Sequence, residues 1–336
     1  MTINQDRKVL YRVIPGILIS VIALIILVSF SDLDAVRGAI KQITPLTLLL
    51  AAGLVIISLL TRAFAWKGIL QERISLWQSY LIINAGYFVN TVLPFRLGEI
   101  SRAFLLMPSG FGFWEGLSSI VLERLFDFGF ALSFLFIGLP SALEFTNNLA
   151  YAYTLAGLAV LAAVVILLLV INRAQILNWL EGIPLHDEKV KGGVIRFATS
   201  IISSLEILTS LRRTFKVFVG MGASWGIALA FQFILLRAFV PDAKLAWAAF
   251  ALGAVAVGVS VPSSPGNIGL YEGSLTLALT ACGVDPSLAF TYALTSHIIN
   301  LGVTTGFGAY GLVREGVGLR DVWQFGKQQR KGTRYE

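Results

Sequence analysis

The apolar residues of this chain lie in long runs rather than in the spaced pattern of a soluble amphipathic helix. Four runs hold at most two charged residues each and approach the roughly 20 residues that a helix needs to cross about 30 Å of hydrocarbon. They cover residues 13–30, 46–64, 149–171 and 215–240. Two further runs, 113–139 and 288–313, carry ionisable or imidazole side chains inside them. The pattern predicts an all-α, polytopic membrane protein with about six full spans.

Two other apolar segments are interrupted by proline and glycine. The first breaks at 93–102 and the second at 261–272, and each continues into a short second helix with a glutamate, Glu99 or Glu272, just beyond the break. Broken backbone is costly in lipid unless it is buried in protein or lines a wet cavity. Paired breaks in two halves of a membrane protein indicate a transport site. The predicted helix-break residues are Asn90, Pro94, Gly98, Pro262, Pro265, Gly266 and Gly269.

The distribution of basic residues predicts the orientation. Lysine and arginine cluster before residue 13, at 62–73, across 173–216 and across 314–334. The positive-inside rule places these segments and both termini in the cytoplasm of a multi-pass protein of the cell membrane. Because these clusters lie on the same side of the membrane, the chain must cross it an even number of times between one cluster and the next. Segment 76–107 therefore enters and returns on the cytoplasmic side, and segment 245–282 enters and returns on the outer side. A ten-residue arm is only about 15 Å long as a helix, which favours re-entrant hairpins over tilted full spans.

This topology predicts an inverted repeat of two halves. Residues 1–140 form the first half and 141–313 the second, which includes a cytoplasmic linker at 172–213; a basic tail follows at 314–336. Glu99 precedes Glu123 by 24 residues, and Glu272 precedes Ser296 by 24 residues as well. Arg124 would then correspond to His297 and Asp127 to Asn300.

Composition narrows the class further. Apolar residues make up 56% and charged residues 13%, with a mean hydropathy of +0.79, which excludes an ordinary soluble domain and a disordered chain. Cys282 is the only cysteine, so an intrachain disulfide and a cysteine-rich metal motif are both excluded. The net charge of +7 fits membrane orientation better than nucleic-acid binding. We expect no cofactor and no metal.

Ionisable groups at membrane depth are expensive and usually face the protein interior or a wet cavity. The guanidinium groups of Arg96, Arg102 and Arg124 match phosphate oxygens and lie near a helix that restarts at Gly98, whose N-terminus would favour an anion. For any single residue, an ion-pair network that only holds the hairpin to its neighbouring span is the alternative, but the set as a whole favours a binding site. The candidate substrate-binding residues are Arg96, Glu99, Arg102, Glu123, Arg124, Asp127, Glu272, His297 and Asn300.

Three motifs occur in order along the chain: Asn90-x-x-x-Pro94-x-Arg96-x-Gly98-Glu99-x-x-Arg102, then Glu123-Arg124-x-x-Asp127, then Pro262-x-x-Pro265-Gly266-x-x-Gly269-x-x-Glu272. In these motifs the chain resembles the transmembrane-region family of lysylphosphatidylglycerol synthase. Members of this family are also described as flippase-like membrane proteins. The resemblance implies movement of phospholipid or lipid-linked head groups between leaflets. It gives no support for lysyl transfer, because the sequence shows no soluble aminoacyltransferase domain. Asn267 departs from the expected second glycine, and asparagine tolerates left-handed backbone angles, so the turn should survive.

The leading hypothesis is a lipid translocator of the flippase or scramblase type, not an enzyme. Its partners would be membrane lipids, an anionic phospholipid or a lipid-linked phosphate, and self-association into a homo-oligomer stays open. One alternative is an intramembrane enzyme that uses Glu99, Glu123 or Glu272 as acid or base, although no His-Glu-x-x-His, Gly-x-Ser-x-Gly or phosphate-loop motif is present. Another is a membrane scaffold for a separate lipid-modifying enzyme.

Overall fold

The computed structural model of the chain describes residue 38, residues 43–93, 96–142, 210–260 and 265–321, and residues 323–324. All regular structure within those ranges is helical, and they contain no strand, so the all-α prediction is confirmed there. The runs predicted at 13–30 and 149–171 lie outside the described residues. So do nearly all of the linker at 172–213 and the end of the basic tail.

The described residues form two groups of four helices. The first group is α1 (Pro45–Ile69), α2 (Leu76–Val92), α3 (Leu97–Leu106) and α4 (Phe113–Ala142), with a short 3-10 helix at Met107–Ser109. The second group is α5 (Leu211–Phe239), α6 (Leu245–Gly258), α7 (Leu270–Ala281) and α8 (Pro286–Arg314), with a 3-10 helix at Pro265–Asn267. Both predicted breaks are therefore present as interruptions between helices, α2 to α3 and α6 to α7.

Several helix starts follow from local sequence. Thr44 caps α1 by accepting a hydrogen bond from the Thr47 amide, and Pro45 fills the first turn, where no amide donor is needed. Ser75 caps α2 by accepting from the Gln78 amide. Asp285 caps α8 by accepting from two amides of its first turn. Each cap satisfies backbone donors that would otherwise be left unpaired, so these boundaries are set by the residues that precede the helix.

The two groups pack as partners. α1 lies along α5, α2 along α8, and α4 along α6. Glycine permits two of these close crossings: a Cβ at Gly308 of α8 would overlap the Asn84 carbonyl oxygen of α2, and a Cβ at Gly253 of α6 would overlap the Leu135 backbone of α4. Each of these three contacts joins a helix of the first group to a helix of the second.

Many large apolar side chains of the described helices are exposed. Leu49, Leu277 and Val313 are each more than 70% exposed, which suits contact with lipid rather than water. Among the described helices, α1 and the Arg212–Phe239 part of α5 are long and apolar enough to cross a membrane, and Leu245–Gly258 is a shorter apolar helix.

Candidate functional site

The first break is folded back on the helix that precedes it. Arg96 adopts the left-handed conformation (φ 51°, ψ 44°) at the start of α3. Asn90, in the last turn of α2, accepts a hydrogen bond from the Gly98 amide over 2.7 Å and donates to Glu99 over 3.4 Å. Only glycine fits at residue 98, because a Cβ would overlap the Gly86 carbonyl oxygen. The amide of Gly98, expected to be open to an anion, is therefore already capped by Asn90.

The second break turns through left-handed backbone at Gly266, Asn267 and Gly269, with φ of 70°, 55° and 88°. Asn267 adopts the angle that its side chain was expected to tolerate. Glu272 accepts a hydrogen bond from the Gly269 amide over 2.8 Å and so caps its own helix. Its other oxygen lies 2.7 Å from Nδ1 of His297. Glu272 and His297 are therefore in direct contact beside this turn.

The two breaks meet across the molecule. The Arg96 guanidinium donates a hydrogen bond to the carbonyl oxygen of Val259, at the end of α6. The Pro265–Asn267 turn packs against α2. A cavity of about 300 Å³ lies between them. Its lining residues come from α1, α2, α3, α4, α7, α8 and both breaks, and are Ser58, Leu59, Arg62, Tyr87, Asn90, Thr91, Leu93, Arg96, Glu99, Arg124, Val259, Gly266, Asn267, Tyr271, His297, Asn300, Leu301 and Thr304.

Arg62 is the residue that the sequence did not single out. Its Nη1 donates to Glu123 over 2.8 Å and to Asp127 over 2.8 Å, and its Nη2 donates to the second Asp127 oxygen over 2.7 Å. Asp127 also accepts from the indole of Trp225 over 3.0 Å, which joins α5 to the cluster. Arg62 was counted only in the basic group at 62–73 that set the orientation. Its position at the end of an otherwise apolar run was the available signal.

Arg102 does not line the cavity with the other arginines. Its side chain is 2% exposed, pairs with Glu123, and stacks its guanidinium 4.2 Å from the centre of the Trp66 ring. Its Nε and Nη1 atoms make no hydrogen bond within the described residues. Of the three arginines that the sequence singled out, Arg96 and Arg124 line the cavity together with Arg62, whereas Arg102 lies behind its wall.

Arg124 is the most accessible of these cations, with 43% of its side chain exposed. Its Nη2 is 3.5 Å from a Glu99 oxygen, and its Nη1 is 3.1 Å from Asp127. The cluster contains four guanidinium groups (Arg62, Arg96, Arg102, Arg124) against three carboxylates (Glu99, Glu123, Asp127), which leaves a surplus of one positive charge. The cavity wall at the first break is thus suited to an anion.

The second break is surrounded by neutral polar groups. Tyr292 donates to Gln232, and the Ser296 hydroxyl lies 3.3 Å from the same amide oxygen. The Tyr271 hydroxyl is 2.8 Å from Ser296 and accepts from Asn300 over 3.3 Å. The ring of Tyr271 stacks on that of His297, with centres 4.2 Å apart. Apart from the pair of Glu272 with His297, the polar groups around the second break are uncharged hydroxyls and amides that can form hydrogen bonds.

Four sequence-predicted residues do not line the cavity, and one of them is Arg102, described above. Glu123 and Asp127 hold Arg62 in place, and Glu272 holds His297. Arg96, Glu99, Arg124, His297 and Asn300 all line the cavity. In the described ranges no group of three or more histidine, cysteine or carboxylate side chains is arranged to hold a metal ion.

Broken helices that enclose a polar cavity, with large apolar side chains exposed outside, are typical of integral membrane proteins. The chain belongs to the family described as the lysylphosphatidylglycerol synthase TM region, which it matches over residues 13–308. The family resemblance found in the three motifs is confirmed.

Two archaeal proteins are similar to the chain. Glycosyltransferase AglD of Haloferax volcanii is 23% identical over 91% of this chain, and the match spans 55% of that protein, so the chain covers little more than half of its relative. The UPF0104 membrane protein MJ1078 of Methanocaldococcus jannaschii is 24% identical over 66% of this chain and 92% of its own length. No solved structure matches the chain.

Proposed function

We propose that this protein moves lipids with an anionic head group between the two leaflets of the cell membrane. The observation that carries the proposal is the cavity of about 300 Å³ at which both helix breaks meet, lined by Arg62, Arg96 and Arg124. In membrane transporters, discontinuous helices commonly form the substrate site near the bilayer midplane. The acyl chains would stay in the lipid while the head group occupies the cavity.

The charge of the site supports an anionic guest. Guanidinium groups present planar, paired donors that match phosphate oxygens. Arg124 is the most exposed cation of the cluster, and its carboxylate partners lie at 3.1 and 3.5 Å, farther away than the partners of Arg62 at 2.7 and 2.8 Å. A phosphate that enters beside Arg124 would neutralise the surplus positive charge without displacing the tight pairs of Arg62. The site can therefore accept and release an anion at modest cost.

The architecture that we propose is an inverted repeat of two halves, with about six full spans and two re-entrant hairpins. The packing supports it, since α2 lies on α8 as α6 lies on α4, and α1 lies on its counterpart α5. Side-chain contacts agree: Arg62 of α1 bonds to Glu123 of α4, and Gln232 of α5 bonds to Ser296 of α8. Glu123 and Ser296 are the two positions that the 24-residue spacing pairs. Rocking of such halves would expose the cavity to each side in turn.

We further propose that both termini face the cytoplasm. Cysteine labelling tests this, because Cys282→Ser removes the only cysteine. In that background, a membrane-impermeant thiol reagent added to intact cells should label Asp242→Cys and spare Pro108→Cys until the membrane is opened. Labelling of Pro108→Cys in intact cells would reverse the orientation.

Transport itself is tested by reconstituting the purified full chain in liposomes that contain a fluorescent anionic phospholipid. Arg124→Gln should slow lipid movement at least about tenfold, because it removes the accessible cation of the cavity. The matched control is Arg73→Gln: Arg73 is 42% exposed, pairs with Glu115, and is absent from the cavity lining.

Two results of this experiment would contradict the proposal. No movement of any anionic lipid by folded protein would reject the transport proposal. Equal loss of movement in Arg124→Gln and Arg73→Gln would place the site elsewhere in the molecule.

A second candidate function is an intramembrane reaction on a lipid head group. The contact of Glu272 with His297 favours it, because a histidine oriented by a carboxylate at a cavity wall is a typical acid–base arrangement. Distant similarity to a protein named as a glycosyltransferase is compatible with it. Purified protein incubated with lipid and candidate sugar donors would have to form a new lipid product, and His297→Gln would have to abolish that product.

A further inference from the structure

The charges around the cavity balance once the second break is counted. The cluster at the first break has four guanidinium groups against three carboxylates. Glu272, at the second break, is a fourth carboxylate: one of its oxygens accepts a hydrogen bond from the Gly269 amide, and the other lies against Nδ1 of His297. With a neutral imidazole, the described residues around the cavity therefore carry as many negative charges as positive ones.

An anion that enters this cavity alone upsets the balance. Its charge offsets the surplus of the arginines, and the carboxylate of Glu272 is then left without a compensating cation. Uncompensated charge is costly inside a membrane protein. The cavity of about 300 Å³ has room for only about ten water molecules, so water screens that charge poorly. One proton taken up together with the anion would restore the balance.

We propose that His297 binds one proton with each anionic lipid and releases it on the other side of the membrane, so that the protein couples lipid movement to a proton gradient. The proposal rests on the proposed transport function and adds a second, smaller substrate. Water in the cavity gives the proton to Nε2 of the imidazole on one side. Nε2 returns the proton to water on the other side, after the lipid has crossed.

The geometry of His297 suits a proton acceptor. Its Nδ1 is 2.7 Å from a Glu272 oxygen, and a carboxylate oxygen accepts hydrogen bonds, so Nδ1 carries a proton. The other ring nitrogen, Nε2, has no hydrogen-bond partner among the described residues and is then free to accept a proton. The imidazolium so formed would lie against the Glu272 carboxylate. Histidine is also the side chain whose ordinary titration falls between about pH 5 and pH 8.

The groups that face His297 come from the helices packed on α8 and from the opposite wall of the cavity. α5, one of those helices, faces this level of α8 with the neutral amide of Gln232. The charged and titratable groups are Glu272 and Tyr271 of α7, Arg62 of α1, Tyr87 of α2 and, across the cavity, Arg96, Glu99 and Arg124.

Glu99 is the other candidate for the proton, and its contacts disfavour it. One of its oxygens is 3.5 Å from Arg124, and it accepts a hydrogen bond from Asn90 over 3.4 Å. A proton on Glu99 would remove its attraction to Arg124, whereas a proton on His297 gains an attraction to Glu272. The described residues around the cavity therefore place the proton on His297.

The test uses liposomes that contain the full chain and a trace of phosphatidylglycerol labelled on one acyl chain. Valinomycin, with equal potassium on both sides, holds the membrane potential at zero while a pH gradient is imposed. A gradient of about one pH unit, with one proton coupled to each lipid, should place about ten times more label in the leaflet on the alkaline side at equilibrium. Protein-free liposomes give the passive background.

His297→Gln tests the assignment to this residue. The glutamine amide can still donate to Glu272 but binds no proton, so the variant should distribute the label equally between the leaflets or stop moving lipid. The matched control is His186→Gln, which changes the only other histidine and should keep the wild-type ratio. Should His297→Gln unfold, Glu272→Gln takes its place, because it removes the negative charge that the proton balances.

The results separate proton coupling from transport. Label distributed equally under the gradient, faster than in protein-free liposomes, overturns proton coupling and leaves anionic-lipid transport standing. No movement above the background by folded protein overturns both proposals. A folded His297→Gln or Glu272→Gln variant that keeps the wild-type ratio overturns the assignment of the proton to His297, whereas equal distribution or loss of movement in the folded variant supports it.

Discussion

The two helix breaks occupy matching places in the chain and have opposite chemistry. Around the first, Arg62, Glu123 and Asp127 form a charged network. Around the second, Ser296, which the 24-residue spacing pairs with Glu123, donates a neutral hydrogen bond to Gln232. The same helix framework thus holds two kinds of polar cluster. Charge is concentrated around the first break, and neutral hydrogen bonding is concentrated around the second.

The difference also sets what each cluster costs to disturb. A buried ion pair that loses one member leaves an uncompensated charge, which typically costs about 3–5 kcal/mol. A neutral hydrogen bond that loses one member leaves a buried polar group, at about 1–3 kcal/mol. The two halves should therefore differ in their sensitivity to substitution at equivalent positions.

The largest effect should come from Glu123→Gln. Glu123 is fully buried and accepts hydrogen bonds from both Arg62 and Arg102. The substitution therefore leaves two guanidinium groups without the carboxylate that they share. We expect a loss of about 3–5 kcal/mol in the free energy of unfolding, read by denaturant titration in detergent. Glu115→Gln, on the same helix but in an exposed pair with Arg73, is the control and should cost less than about 1 kcal/mol. Equal costs in the two variants would contradict the burial argument.

An intermediate and equal effect is expected at the two glycine crossings. Gly253→Ala and Gly308→Ala each place a methyl group against backbone atoms of the opposing helix, at α4 and α2 respectively. Each should cost about 1–3 kcal/mol, because backbone cannot move aside as a flexible side chain can. Gly306→Ala is the control on α8: nothing lies within 4 Å of its new Cβ, so it should be neutral or slightly stabilising. Unequal losses at residues 253 and 308 would show that the two crossings are not equivalent.

The smallest effect should come from Ser296→Ala, at the position that matches Glu123. Its hydroxyl bonds to Tyr271 and Gln232, and both keep other partners in Asn300 and Tyr292. We expect a loss of about 1 kcal/mol, measured in the same titration. A loss as large as that of Glu123→Gln would mean that the neutral network is as tightly coupled as the charged one.

Local features of this molecule could be predicted from its sequence. Proline and glycine mark both breaks, and the left-handed angle of Asn267 follows from the tolerance of asparagine. Arg62 and Arg102 could not be assigned in the same way. Whether an arginine faces a cavity or lies behind its wall depends on which helix packs against it, and those contacts join residues 61 and 21 positions apart along the chain. The six spans, the orientation and the role of each site residue stay predictions.

The hydrogen bond from Arg96 to the Val259 carbonyl has a consequence for cooperation between the halves. The two residues are 163 positions apart, and the guanidinium that holds the end of α6 also lines the cavity. An anion bound as proposed would draw Arg96 away from that contact, so occupancy of the cavity and release of α6 would be thermodynamically linked. Linkage is reciprocal: whatever loosens the end of α6 must tighten the anion, and a tightly held anion must loosen α6.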